Sequence, residues 1–234
     1  MKAIIKRELA AYFSAPIGFI YLGVMYFFAG FFFFSGVLLN NSTDMSPVFS
    51  SMVTLIMIMT PLLTMRLMSE DKRHKTDQTL LTVPVTLMAI VAGKFCAAAL
   101  VYTAGILVTL AFAVVVNAFV TVEWAVIVGN FIALLLLGCA FISIGQFVSS
   151  LTENQAIAAI GGFAAMFIVF LLDAVPSIVQ NSLVTTVING ISFTKRYTPI
   201  THGILDMADL FFFVSVCAIF LFLTTRVLEK RRWS

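Results

Sequence analysis

The densest group of ionisable side chains is Glu70-Asp71-Lys72-Arg73, with His74, Lys75 and Asp77 just beyond it. Acids and bases packed this closely could hold a metal, move a proton or dock a partner. Metal binding and acid–base catalysis need further ligands or a matched acid and base brought alongside. The only other histidine, His202, lies across a membrane from His74 by the hydropathy pattern, so the two cannot share a metal or a triad. The three cysteines, Cys96, Cys139 and Cys217, fall inside apolar segments at spacings that match no metal or redox pattern. They read as small packing residues. The chain has no HExxH, no GxSxG and no GxxxxGK[ST]. It is therefore expected not to be an enzyme and to bind no metal or cofactor itself, and the charged segment reads either as a partner-docking surface or as a solvated loop that only links two spans.

The elements that position this segment are membrane helices. Of the 234 residues, 61% are apolar and only 11% charged, with 24 Phe and a mean hydropathy of +1.08. Soluble domains run near 45–50% apolar and about 25% charged. Residues 9–43, 45–65, 95–122, 124–152, 154–172, 174–194 and 210–225 contain no Asp, Glu, Lys or Arg. A spanning helix needs roughly 20 mostly apolar residues. Six stretches give spans at about 17–39, 47–68, 88–117, 124–149, 155–173 and 209–227. The stretch 174–194 carries Ser177, Gln180, Asn181, Ser182, Thr185, Thr186 and Asn189 among its apolar residues. It reads as an amphipathic or re-entrant helix on the outer side, within an outer region 174–208.

Twelve of the fourteen Lys and Arg residues then lie on one side, and only Lys195 and Arg196 on the other. This bias puts both termini in the cytoplasm. A seventh span would carry Arg226 and Lys230–Arg232 outside, which the bias rejects. No cleavable signal peptide is expected, because the apolar run from Ile17 is too long for one. Residues 1–15 read as a short amphipathic helix, with Ile5, Leu9, Tyr12 and Phe13 on one face and Lys2, Lys6 and Arg7 off it. Pro16 ends it. Ala158 with Gly162, and Gly161 with Ala165, give small-xxx-small spacing on the fifth span, suited to close helix packing. Spans without Asp, Glu or His at mid-depth argue against an ion-coupled pump. Energy for any transport would have to come from another subunit. The net charge of +3 is explained by topology and does not point to nucleic acid.

The amphipathic start, six spans and the loop Ser69-Glu70-Asp71-Lys72-Arg73…Thr79-Leu80-Leu81-Thr82-Val83-Pro84-Val85 resemble the permease subunits of ABC-2 type transporters. They are especially similar to the short branch that includes the gliding-motility permeases. Gly93-Lys94-Phe95, Ser149–Gln155, Thr201-His202-Gly203 with Asp206 and Asp209, and the ending Leu228–Trp233 extend the resemblance over the whole chain. Where the family loop carries Gly, His74-Lys75-Thr76 stands here, and Gln78 stands near a family Glu.

The resemblance implies a single all-α membrane domain, 1–234, in a bacterial plasma membrane. It implies an exporter in which two permease copies, or this chain and a related permease, enclose a path. ATP and Mg2+ would be used by a separate ATP-binding subunit. Residues 1–15 would be the elbow helix and 69–86 the coupling loop. Expected coupling residues are Glu70, Asp71, Lys72, Arg73 and Asp77, with Leu80 and Leu81 as an apolar anchor and Glu153 as a second contact. Asp173, His202, Asp206 and Asp209 are candidates for an outer gate. The rival expectation is a non-transporting membrane scaffold, immunity or assembly protein, which would not need a coupling loop.

Overall fold

The computed structural model describes residues 2–73, 86–174, 190–201 and 206–232. Its helices in chain order are α1 (Lys2–Ser14), α2 (Pro16–Phe33), α3 (Ser46–Thr64), α4 (Ser69–Arg73), α5 (Leu87–Asn117), α6 (Trp124–Leu151), α7 (Gln155–Ala174), α8 (Phe193–Thr201) and α9 (Met207–Arg232). No strand occurs among the described residues. Six helical segments are long and apolar enough to cross a membrane: Pro16–Leu38, Ser46–Arg73, Leu87–Asn117, Trp124–Leu151, Gln155–Asp173 and Met207–Lys230.

Local chemistry sets the ends of these helices. Pro16 occupies the first turn of α2 after an extended Ala15, where its missing N–H costs nothing. The Thr86 side chain accepts from the Ala89 amide and caps α5. At the far end of α2 the chain widens into a π-helical turn, Phe34–Leu38. Asn40 donates to the Ser35 and Gly36 carbonyls at 3.0 and 3.2 Å. Asn41 then reverses the chain at φ 47°, a conformation that Asn tolerates better than most residues.

Helix α6 is the central post. Half or more of its apolar window is buried, and it packs against α3, α5, α7, α8 and α9. In lipid, helices gain little from hydrophobic burial against each other, so close backbone approach decides the packing. Gly138 provides it: a Cβ there would lie 2.1 Å from the Tyr102 ring, whose hydroxyl donates to the Leu134 carbonyl at 2.5 Å. A Cβ at Gly145 would meet Thr64 Oγ1 at 2.3 Å. The small residues of α7 work within the chain as well. Ala158 is buried, and Gly162 faces Pro61 of α3. The outward faces of α2, α7 and α9 carry exposed Phe27, Phe31, Phe167 and Phe211. Phe33, by contrast, stacks on Phe112 at 4.6 Å.

The bundle has two distinct ends. One gathers α1, α4, the start of α5, the end of α6 and the end of α9, where Leu228 packs with Met68 and Val91. The opposite end holds the α2–α3 and α5–α6 turns and α8, which packs on α3, α6 and α7 through buried Phe193, Tyr197 and Ile200. The amphipathic segment expected at 174–194 lies largely outside the described residues.

Candidate coupling site at the elbow end

Helix α1 does not present the face that its apolar residues suggest. Its buried residues are Glu8 and Tyr12, while Phe13 is exposed. The helix lies across the start of α5, where Gly93 leaves room for Ile4: a Cβ at Gly93 would stand 3.0 Å from Ile4 Cγ2. The face through Ile4, Glu8 and Tyr12 therefore meets protein. Tyr12 donates to the Leu63 carbonyl at 2.7 Å near the end of α3. Burial pushes its phenol pKa well above the ordinary value, with the Glu8 charge adding to the effect.

Beside Gly93 stands Lys94, only 2% exposed. Its ammonium holds three oxygens: Asp71 Oδ2 at 2.7 Å, Glu8 Oε1 at 3.1 Å and the Leu67 carbonyl at 2.6 Å. All three N–H donors are thus matched, the condition under which a buried ammonium is tolerated. Arg7 closes the cluster from the rim, 2.7 Å from Glu8 and 3.2 Å from Asp71. Its pKa is raised: burial works against the charge but is outweighed by the hydrogen bond it donates to Glu8 and by the charge of Asp71. Among the described residues the cluster sets two cations against two carboxylates. Residues from α1, α4 and α5 meet in it.

The neighbouring contacts brace the same segment. Arg66 makes a two-pronged pair with Glu70 at 2.7 and 3.0 Å and lies over the Tyr12 ring. Ser149 Oγ at the end of α6 accepts from the Met68 and Ser69 amides at 3.2 Å each and donates to Met65 O at 3.0 Å. Lys72 is buried and donates to the Ser150 carbonyl. Gln146, fully buried one turn earlier, donates to Val91 O at 3.0 Å. The chain leaving α3 toward α4 is consequently fixed to α1, α5 and α6.

The chain matches the family model described as ABC-2 family transporter protein over residues 8–233. It belongs to the ABC-2 transporter family. No curated protein matches it. As an ABC-2 membrane domain with six candidate spans, the chain is a multi-pass permease component.

Within this ABC-2 domain the sequence-read residues fall into separate places. Asp71 and Lys72 turn inward to Lys94 and Ser150, Glu70 is half-exposed on Arg66, and Arg73 is exposed. Asp77, Leu80 and Leu81 lie outside the described residues. Glu153 is exposed in the turn between α6 and α7, where Asn154 accepts from the Ala156 amide and caps α7. At the opposite end, Asp173 accepts from the Thr194 amide and hydroxyl, and Asp209 pairs with Arg196 at 2.8 Å. Asp206 caps α9 through the Ala208 amide. Asp173 and Asp209 thus bind neighbouring positions of α8 without contacting each other; His202 is outside the described residues. Glu8, Arg7 and Lys94 were not among the site residues read from sequence.

Proposed function

We propose that this chain is the permease subunit of an ATP-driven exporter, with two permease subunits enclosing the path and separate ATP-binding subunits docked at the elbow end. The observation that carries this reading is Lys94, whose single ammonium joins the elbow helix at Glu8 to the first turn of the loop at Asp71. A partner pressing on the loop would move α1 and α5 through that ammonium, and α6 through Ser149 and Ser150. The same contacts would have little use in a bare linker. ATP and Mg2+ act in the partner, since the chain lacks a phosphate-cradling loop. The excess of Lys and Arg at the elbow end supports a cytoplasmic position for both termini in a bacterial plasma membrane.

Docking is assigned to Leu80 and Leu81, an apolar anchor ringed by charge, which is the usual build of a binding hot spot. Leu80→Ala with Leu81→Ala should leave the protein inserted but weaken capture of the partner ATPase by several-fold or more. Lys94→Met should leave capture intact and lower stimulated ATP turnover in proteoliposomes. Parent-like capture and turnover in both variants would move the contact elsewhere, with Glu153 and Asn154 next in line. Failure of the chain to co-purify with any ATPase would favour the scaffold alternative.

A further inference from the structure

A pocket of about 160 Å3 lies between α3, α6, α7 and α8, near the α8 end of the bundle. Its walls include Met57, Phe141, Val169 and Phe193, and its polar lining includes Asp173 and Tyr197 beside Ser and Thr hydroxyls of α3 and α8. Asp173 Oδ2 is held by the amide and hydroxyl of Thr194, which fixes the carboxylate. Its Oδ1 is sealed from solvent and has no hydrogen-bond partner. Tyr197 is 3% exposed, and its hydroxyl is equally buried and unpartnered. Arg196 of the same helix is engaged by Gly190 O and Asp209. No ion pair forms at Asp173 among the described residues.

Buried polar atoms without partners are uncommon and costly, and two in one small pocket point to a missing donor. A carboxylate selects a donor that carries positive charge, and aromatic walls favour a cation over a neutral group. A metal ion fits poorly, because no group of three His, Cys, Asp or Glu able to hold one occurs among the described residues. The volume matches cavities of about 150 Å3 that accept a benzene ring. We propose that this pocket binds an amine on an apolar body, its ammonium at Asp173 and Tyr197 and its ring or hydrocarbon among Phe141, Phe193 and Val169. Binding is a property of this chain alone, whereas the ligand's role as cargo rests on the permease reading.

The test uses the full chain in lipid nanodiscs, with calorimetric titration of phenethylamine, 2-phenylethanol and 3-phenylpropanoate, empty nanodiscs being subtracted. The amine should bind at least tenfold more tightly than the alcohol or the acid. Asp173→Asn, which can still accept from Thr194, should lower amine affinity at least tenfold and abolish the preference for charge. Tyr197→Phe should lower it several-fold. Equal binding of the three probes, or unchanged amine binding in Asp173→Asn, would overturn the proposal and leave a water-filled gap. If Asp173→Asn does not fold, Val169→Trp decides: it fills the pocket from a half-buried position on α7, so lost binding supports the site and retained binding refutes it. Amine binding without ATP-driven amine movement would keep the site and remove only the cargo role.

Discussion

Replacing Lys94 by Met tests whether the buried cluster holds the elbow end together. The side chains are similar in length, so the change removes charge and donors with little loss of volume. It strips Glu8 and Asp71 of their buried cation and the Leu67 carbonyl of its donor. Removing one partner of a buried ion pair costs about 3–5 kcal/mol. Here Arg7 still faces both carboxylates from a half-exposed position, which places the expected loss near the lower bound, about 3 kcal/mol. Asp71→Asn combined with Lys94→Met leaves the Glu8–Arg7 pair at 2.7 Å balanced. The double variant should therefore be more stable than the sum of the two single losses, by at least about 1 kcal/mol. Equilibrium unfolding in mixed detergent micelles, followed by circular dichroism, measures all four corners of the cycle. Additive losses, or a loss below about 1 kcal/mol for Lys94→Met, would refute the cluster as a structural tie.

Gly138→Ala should destabilise the bundle by about 2 kcal/mol or more, because its Cβ would enter the buried Tyr102 ring, whereas Gly23→Ala, with open space around it, should be near neutral in the same melts. Tyr12→Phe should cost about 1 kcal/mol through the lost bond to Leu63 O and should loosen α1, read as faster proteolysis of the N-terminus. Single cysteines at Asn41 and Ser182 should react with an impermeant reagent from outside the cell, and at Lys75 and Ser234 only from inside. Labelling of Ser234→Cys from outside would overturn the orientation read from the Lys and Arg bias.

The spans were legible because their signal is dense: long charge-free runs, bounded by residues such as Asp44, Arg66, Glu123 and Glu153, leave few ways to place six helices. The polar end of the bundle was only half legible. Asp71 and Lys72 stood out as charged neighbours, and their clustering suggested an outward surface. Burial of Lys72 and the inward turn of Asp71 depend on Lys94 and Ser150, each more than 20 residues away in the chain. Lys94 itself was absorbed into the topology count, where one lysine resembles any other. Glu8 offered a signal that was available: it sits four residues from both Ile4 and Tyr12, so the three share a helix face. An acid between two apolar residues on one face asks for a buried cation. The pocket at Asp173 gave no such sign, since it is assembled from four separate helices.

The four-charge cluster also bears on how such a chain can diverge. A replacement at Asp71 would leave Lys94 with surplus charge, and reversal at Glu8 would set two cations against Arg7. Position 71 is therefore tied to 94, and position 8 to 7 and 94, although the four lie in three separate helices. The loop is for this reason no cassette. A graft that retargets it to another ATPase would have to bring its own elbow and the first turns of α5, or keep Asp71 unchanged.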